Sequence, residues 1–188
     1  VTDAPERYTI AVMFRAFLDA AAAMGLREVV SAAQPALKAM FDRPPLPTAM
    51  VPGSVCDLLY ASVAQARGRS AVRTLGYEGM RREGSRLLGG LFENTMALYG
   101  RTPDALFGQI ATIVGPVVSR IDVTYLPESP QSGFVEVRPA GQRTPLSYAI
   151  WEGYLHYFFD VCGTRGTVDE FVLAANGLSG TARVHWES

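Results

Sequence analysis

The sequence predicts an α+β fold. A helical part over residues 8–115 packs on a four-stranded antiparallel sheet, built over residues 117–187 in strand–strand–helix–strand–strand order. Three observations predict it. Apolar residues recur at helical spacing through the first 115 positions. The period changes to strict alternation after Val117. One long aromatic segment, 144–163, then sits between two pairs of alternating runs.

The elements follow in order. Ile10, Met13, Phe14, Phe17 and Leu18 mark a first helix that Gly25 ends. A second runs from about Leu26 to Phe41, with Pro35 either kinking it or dividing it. Pro44, Pro45, Pro47 and Pro52 make an extended connector. Ser54 followed by Asp57 reads as a capping box opening a third helix. Residues 68–100 are helical but carry five glycines, which implies breaks or the close approach of another backbone. Thr102-Pro103-Asp104 opens a helix that stops near Gly115-Pro116. Ile121, Val123 and Tyr125 then alternate with Arg120, Asp122 and Thr124, a half-buried strand. Phe134–Arg138 forms the next. Thr144 caps a long helix with Pro145 at its first position and Gly163 at its end. Strands over 167–175 and 181–187 close the chain around the Asn176-Gly177 turn.

Length and composition bound what the chain does. At 188 residues, 48% hydrophobic and 19% charged, it suffices for one domain with a sizeable core. A net charge of −1 argues against a nucleic-acid binder. No apolar run reaches the roughly 18 residues of a membrane span, and no basic start precedes a short apolar run, so a cytoplasmic protein is expected. Cys56 and Cys162 are read as free, buried thiols. Neither glycine-rich nucleotide loop is present, and there is no G-x-S-x-G elbow.

Three constellations are candidates for function. The 144–163 helix is apolar over more than one stripe, so it is either a core helix or the wall of a pocket or dimer face. Facing the preceding helix, it suggests a pocket of Phe107, Ile110, Val114, Trp151, Tyr154, Leu155 and Phe158. On its remaining face Glu152, His156 and Asp160 recur every four residues. That row reads as a solvated face, or else as a histidine tuned by carboxylates. Arg67, Arg69, Arg73, Arg81, Arg82 and Arg86 form the one basic concentration, a candidate anion or partner surface.

Several segments carry a resemblance. They are Ala71-Val72-Arg73-Thr74-Leu75-Gly76 leading to Gly84 and Leu87-Leu88-Gly89, then Trp151-Glu152-Gly153 to Cys162-Gly163, and Thr181-Ala182-Arg183-Val184-His185-Trp186. With the order of elements, they resemble an uncharacterised domain family of about this length, expanded in myxobacteria. That family is similar to the superfold of the haem nitric-oxide/oxygen-binding, vinyl-reductase-like and TRAPP-like domains. The resemblance implies small-molecule sensing, dimerisation in some branches and an acyl-sized apolar tunnel in others. The haem branch carries a histidine in the helix before the first strand, together with Y-x-S-x-R. Residues 103–115 contain no histidine and the motif is absent. No cofactor is therefore expected, and haem is disfavoured.

The leading expectation is a non-enzymatic regulatory or sensor module that binds a small apolar ligand, a signalling protein partner, or both. The alternatives are a homodimeric interaction protein and an enzyme using His156 with Glu152 or Asp160.

Overall fold

The computed structural model describes residues 7–139 and 144–187. The fold is α+β. Strand β1 (Tyr8–Ile10) leads into α1 (Ala11–Ala23), α2 (Arg27–Ala33) and α3 (Pro35–Asp42). Strand β2 (Met50–Pro52) precedes α4 (Gly53–Arg67), α5 (Arg69–Gly79), a π-helical turn (Met80–Gly84) and α6 (Ser85–Tyr99). Short helices α7 (Pro103–Gly108) and α8 (Ile110–Val114) lead to β3 (Val118–Ser119), β4 (Ile121–Ser129) and β5 (Ser132–Pro139). Helix α9 (Pro145–Cys162) is followed by β6 (Gly166–Val168), β7 (Val172–Leu173) and β8 (Gly180–Trp186). No described helix is long and apolar enough to cross a membrane.

Local chemistry explains most boundaries. Pro35 divides the second predicted helix in two and takes the first position of α3, where its missing N–H is no loss. Thr102 caps α7 by accepting from the Ala105 N–H at 3.2 Å, and Thr144 caps α9 by accepting from the Ser147 N–H at 3.3 Å. Gly163 adopts φ 69° to end α9, and its N–H and that of Thr164 bond back to Asp160 and Phe159. The Ser54–Asp57 capping box is corrected. Helix α4 starts at Gly53, two residues before the start that a Ser54 cap would set, and has no side-chain cap. Asp57 instead accepts from Arg7 Nη2 at 2.5 Å and from the Ser147 hydroxyl at 2.6 Å.

Two further expectations are corrected. The strand expected from Val117 breaks at Arg120, the one non-glycine described residue with positive φ (58°). Its first piece, β3, joins β1 and β2 in a separate three-stranded antiparallel sheet that alternation did not reveal, because strands of two or three residues carry no period. The main sheet has five strands, not four, in the order β4-β5-β8-β6, with β7 also on β8. The expected strand over 167–175 is interrupted at Asp169–Phe171, so β6 and β7 pair separately with β8. The register sets Val123 against Val137, Val135 against Ala182 and Val168 against Val184, a buried apolar row.

Helix α9 runs through the centre and is buried nearly all round. Its closest neighbour is α5. A Cβ at Gly76 would strike the Ile150 carbonyl oxygen, and one at Gly153 would strike the Arg73 carbonyl oxygen and the Tyr77 amide. The two helices therefore meet backbone to backbone, which only glycine permits.

This contact makes a contrast of two substitutions informative. Gly153→Ala has only backbone to push against and should lose about 3 kcal/mol or more in urea unfolding. Gly90→Ala, at an exposed helical site with open space beyond it, should gain about 0.5–1 kcal/mol.

Candidate functional site

Trp151 and Tyr154 project from α9 into the junction between the helical part and the small sheet. Their rings meet edge to face at 5.4 Å, and Tyr154 stacks on Phe17 of α1 at 5.8 Å. Two small cavities flank them. One of about 10 Å³ is lined by Met13, Met80, Val114, Val117, Trp151 and Tyr154, with Thr9 and Val118 at its edge. The other, about 20 Å³, is bounded by Arg7, Cys56, Tyr60, Ile121 and Ile150, again with Trp151 and Tyr154. Each has room for about one water molecule.

Of the seven residues expected to form a pocket, Val114, Trp151 and Tyr154 line these cavities. Phe107, Ile110, Leu155 and Phe158 are buried elsewhere in the core. Phe107 stacks on Phe158 at 5.4 Å and packs against Tyr125 and Trp186 at 5.7 and 6.0 Å. The α7–α9 interface is thus solid. Thr9, Met13, Cys56, Tyr60 and Met80 border the cavities without having been singled out in the sequence. Met13 does fall on the apolar stripe of the first helix, but Thr9 and Met80 lie on a two-sheet junction and a π turn that leave no periodic signal.

The row Glu152, His156, Asp160 is not one solvated face. Glu152 is fully buried. It accepts from Arg69 at 3.0 and 2.5 Å and from the Phe171 amide at 3.0 Å, and Arg69 also reaches Glu170 at 3.1 Å. This cluster ties α5, α9 and the β6–β7 segment together. His156 is half-buried, edge-on to Tyr77 at 5.6 Å. Burial first, and the nearby Arg73 charge second, hold its pKa below the ordinary histidine value. Asp160 is exposed and accepts from the Tyr77 hydroxyl at 2.5 Å, which with burial pushes the phenol up to about 12.

The arginines disperse. Arg69 turns to Glu152, Arg81 and Arg82 to Glu78 (2.8 and 3.8 Å), and Arg86 to Glu83 (2.9 Å). Arg73 lies in a groove beside His156, and Arg67 near Gly25. Among the described residues no group of three or more His, Cys, Asp or Glu is placed to hold a metal ion. Cys56 and Cys162 are free and buried, and burial pushes the Cys162 thiol up to about 11.

No family model and no curated protein matches the chain. Solved structures do. A doubly substituted Tt H-NOX domain superposes with a TM-score of 0.67 at 12% identity, covering 95% of each chain. The chain has the fold of an H-NOX domain. An oxygen-binding H-NOX domain related to soluble guanylate cyclases, in its oxygen complex, gives a TM-score of 0.66 at 11% identity with the same coverage. A structure described as modulating haem redox potential through protein-induced porphyrin distortion gives 0.62 at 12%, again over 95% of each chain.

These neighbours overturn the expectation of no cofactor, since haem is the group to which they point. The donor chemistry at the junction is compatible with it. Met13, Met80, Cys56 and Tyr60 border the two cavities, and thioether, thiolate and phenolate all serve as haem ligands. The two histidines are not among the residues lining either cavity. Trp151 and Tyr154 fill the space as arranged here, whereas cofactor sites run to about 300–1,000 Å³. A porphyrin would need both rings to turn aside.

Two outcomes test this description. Arg69→Ala strands the buried Glu152 charge and should lose about 3–5 kcal/mol by urea unfolding, while Arg69→Met combined with Glu152→Leu should recover most of that. Titration with a thiol-reactive disulfide at about pH 8 should find neither cysteine reacting rapidly in the native protein, and both reacting in denaturant.

Proposed function

We propose that the chain is a non-enzymatic sensor module whose ligand site is the junction beneath Trp151 and Tyr154, with haem as its cofactor. The observation that carries this reading is the pair of cavities on either side of those two rings, in a fold shared with an oxygen-binding H-NOX domain. The site joins α1, the π turn, α8, the small sheet and α9. An occupant there touches both the helical part and the sheet part, as a sensor requires if occupancy is to change their relation. The neighbours named above are described by oxygen binding and haem and not by a catalysed reaction, which agrees with a non-enzymatic role.

When bound, the cofactor would supply an iron centre for a diatomic ligand. The chain's own residues would do the rest. Once the Trp151 and Tyr154 rings turned aside, Met80 and Met13 would present thioethers and Tyr60 a phenol, with Val114 and Val117 as apolar lining. The apolar lining of the cavity beside Met13 and Met80 favours a small uncharged ligand.

Membership of the narrower, myxobacterial-type family is also proposed, on the three quoted segments alone. So are a signalling partner and a homodimer. Exposed large apolar residues that a partner could cover include Val29, Leu46, Met50, Leu58, Leu98, Tyr99, Leu126, Val172 and Leu178.

Haem reconstitution tests the proposal. Protein produced with added haem precursor should purify with about one haem per chain and an intense Soret absorbance. Trp151→Ala should change the position of that band, because it alters the surroundings of the iron. Absence of a Soret band in the wild-type protein, together with no thermal stabilisation by haem in the Trp151→Ala or Tyr154→Ala variants, would sink the reading.

A further inference from the structure

Away from the junction, a surface groove between α5 and α9 gathers polar groups that the sensor site does not use. It has a volume of about 300 Å³ and is lined by Arg73, Thr74, Tyr77, Gly153 and His156. Its floor follows from the glycine contact. Because α9 carries no side chain at Gly153, the helices meet by backbone there, and the larger residues on either side stand up as walls.

The charges in the groove are unbalanced. Arg69, Arg81, Arg82 and Arg86 each have a carboxylate partner, whereas Arg73 makes no ion pair among the described residues. The Nδ1 atom of His156 is buried and finds no hydrogen-bond acceptor or donor among them. A buried polar atom without a partner is uncommon and calls for an explanation. Of the carboxylates that act on the groove's residues, Asp160 accepts from the Tyr77 hydroxyl at 2.5 Å and Glu78 is engaged by Arg81 at 2.8 Å. The groove therefore offers a guanidinium and an imidazole with nothing anionic between them, beside the face of an aromatic ring.

We infer that this groove binds a small monocarboxylate anion, its oxygens on the Arg73 guanidinium and its apolar part against Tyr77. A carboxylate matches the planar fork of an arginine in a bidentate pair. Asp160, held by the Tyr77 hydroxyl, disfavours a dianion such as phosphate by like-charge repulsion. The Tyr77 ring provides contact for a short hydrocarbon tail.

The geometry also gives this site a pH dependence. The groups facing His156 are Arg73 and Tyr77 from α5, and Asp160 and Phe159 from α9. Burial and Arg73 oppose protonation of the imidazole, and Asp160 favours it. An anion on Arg73 cancels the opposing charge, so it raises the His156 pKa. By linkage, the anion binds more tightly as the pH falls through that pKa, provided the ligand itself stays ionised.

The test is an NMR titration of the purified chain with propionate, using sodium chloride at equal ionic strength as control and inorganic phosphate as the competing class. Propionate should shift the Thr74 and Gly153 amides and the His156 ring protons saturably, with a millimolar Kd, while chloride should not. The affinity should rise as the pH falls below about 6.5 toward about 5.5, where propionate is still mostly ionised, and His156→Phe should remove that rise while leaving binding in place. Arg73→Gln, which breaks no ion pair and whose fold near-UV circular dichroism would verify, should abolish saturation. Linear shifts equal to those of chloride, undiminished binding in Arg73→Gln, or tighter binding of phosphate would each overturn the inference. None of these outcomes depends on whether the junction holds haem.

Discussion

The rest of the structure depends on the contact between the backbones of α5 and α9. Helix separation is set by the side chains at the crossing. Here there are none: Gly76 lies under Ile150, and Gly153 lies against Arg73 and Tyr77. With the pair drawn this close, α9 cannot hide its large residues on the α5 side and must distribute them elsewhere. Trp151 and Tyr154 turn toward α1 and the small sheet, where Tyr154 finds Phe17. Phe158 and Phe159 turn toward α7 and the main sheet, where they meet Phe107 and Trp186. A helix that reads as hydrophobic on almost every side is therefore in contact on almost every side.

The same closeness explains a fully buried carboxylate. Glu152 adjoins Gly153 and has no route to solvent once α5 is in place. An isolated charge there would be untenable, so the carboxylate is matched by a bidentate guanidinium from the first turn of α5 and a backbone amide at Phe171. The amide matters for topology as well as charge. It lies in the segment that interrupts the edge strand, so Glu152 satisfies an N–H that no neighbouring strand bonds there. One carboxylate thus bonds both the interrupted edge segment and Arg69.

How much of this was legible in the sequence varies with the length over which each signal is written. The long elements were plain. Thr144, Pro145 and Gly163 bounded α9, and the closing strand expected over 181–187 is β8. The glycines of residues 68–100 were read as breaks or close approach, and both occur, as the π turn and the Gly76 contact. What was missed is short or distant. Strands β1, β2 and β3 are two or three residues long and exist only by pairing with one another. The spacing of Glu152, His156 and Asp160 was legible. Their fates were not, because burial depends on α5, which lies some 80 residues away.

Distance in sequence also explains why the junction announced no motif. Its lining comes from Arg7 and Thr9, Met13, Cys56 and Tyr60, Met80, Val114 to Val118, Ile121, and Ile150 to Tyr154. Most of these segments lie tens of residues apart, so no single spacing spans the site. A motif scan detects chemistry concentrated on one element, such as a histidine on one helix. It is blind to a site to which every surrounding element contributes one or two side chains. The absence of a histidine from residues 103–115 therefore does not bear on the junction, whose lining is drawn from many elements. Thioethers and phenols on α1, α4 and the π turn are reached only once the chain has folded. The π turn in particular places Met80 at the cavity, and π bulges recur at functional positions because the extra residue re-aims a side chain without ending the helix.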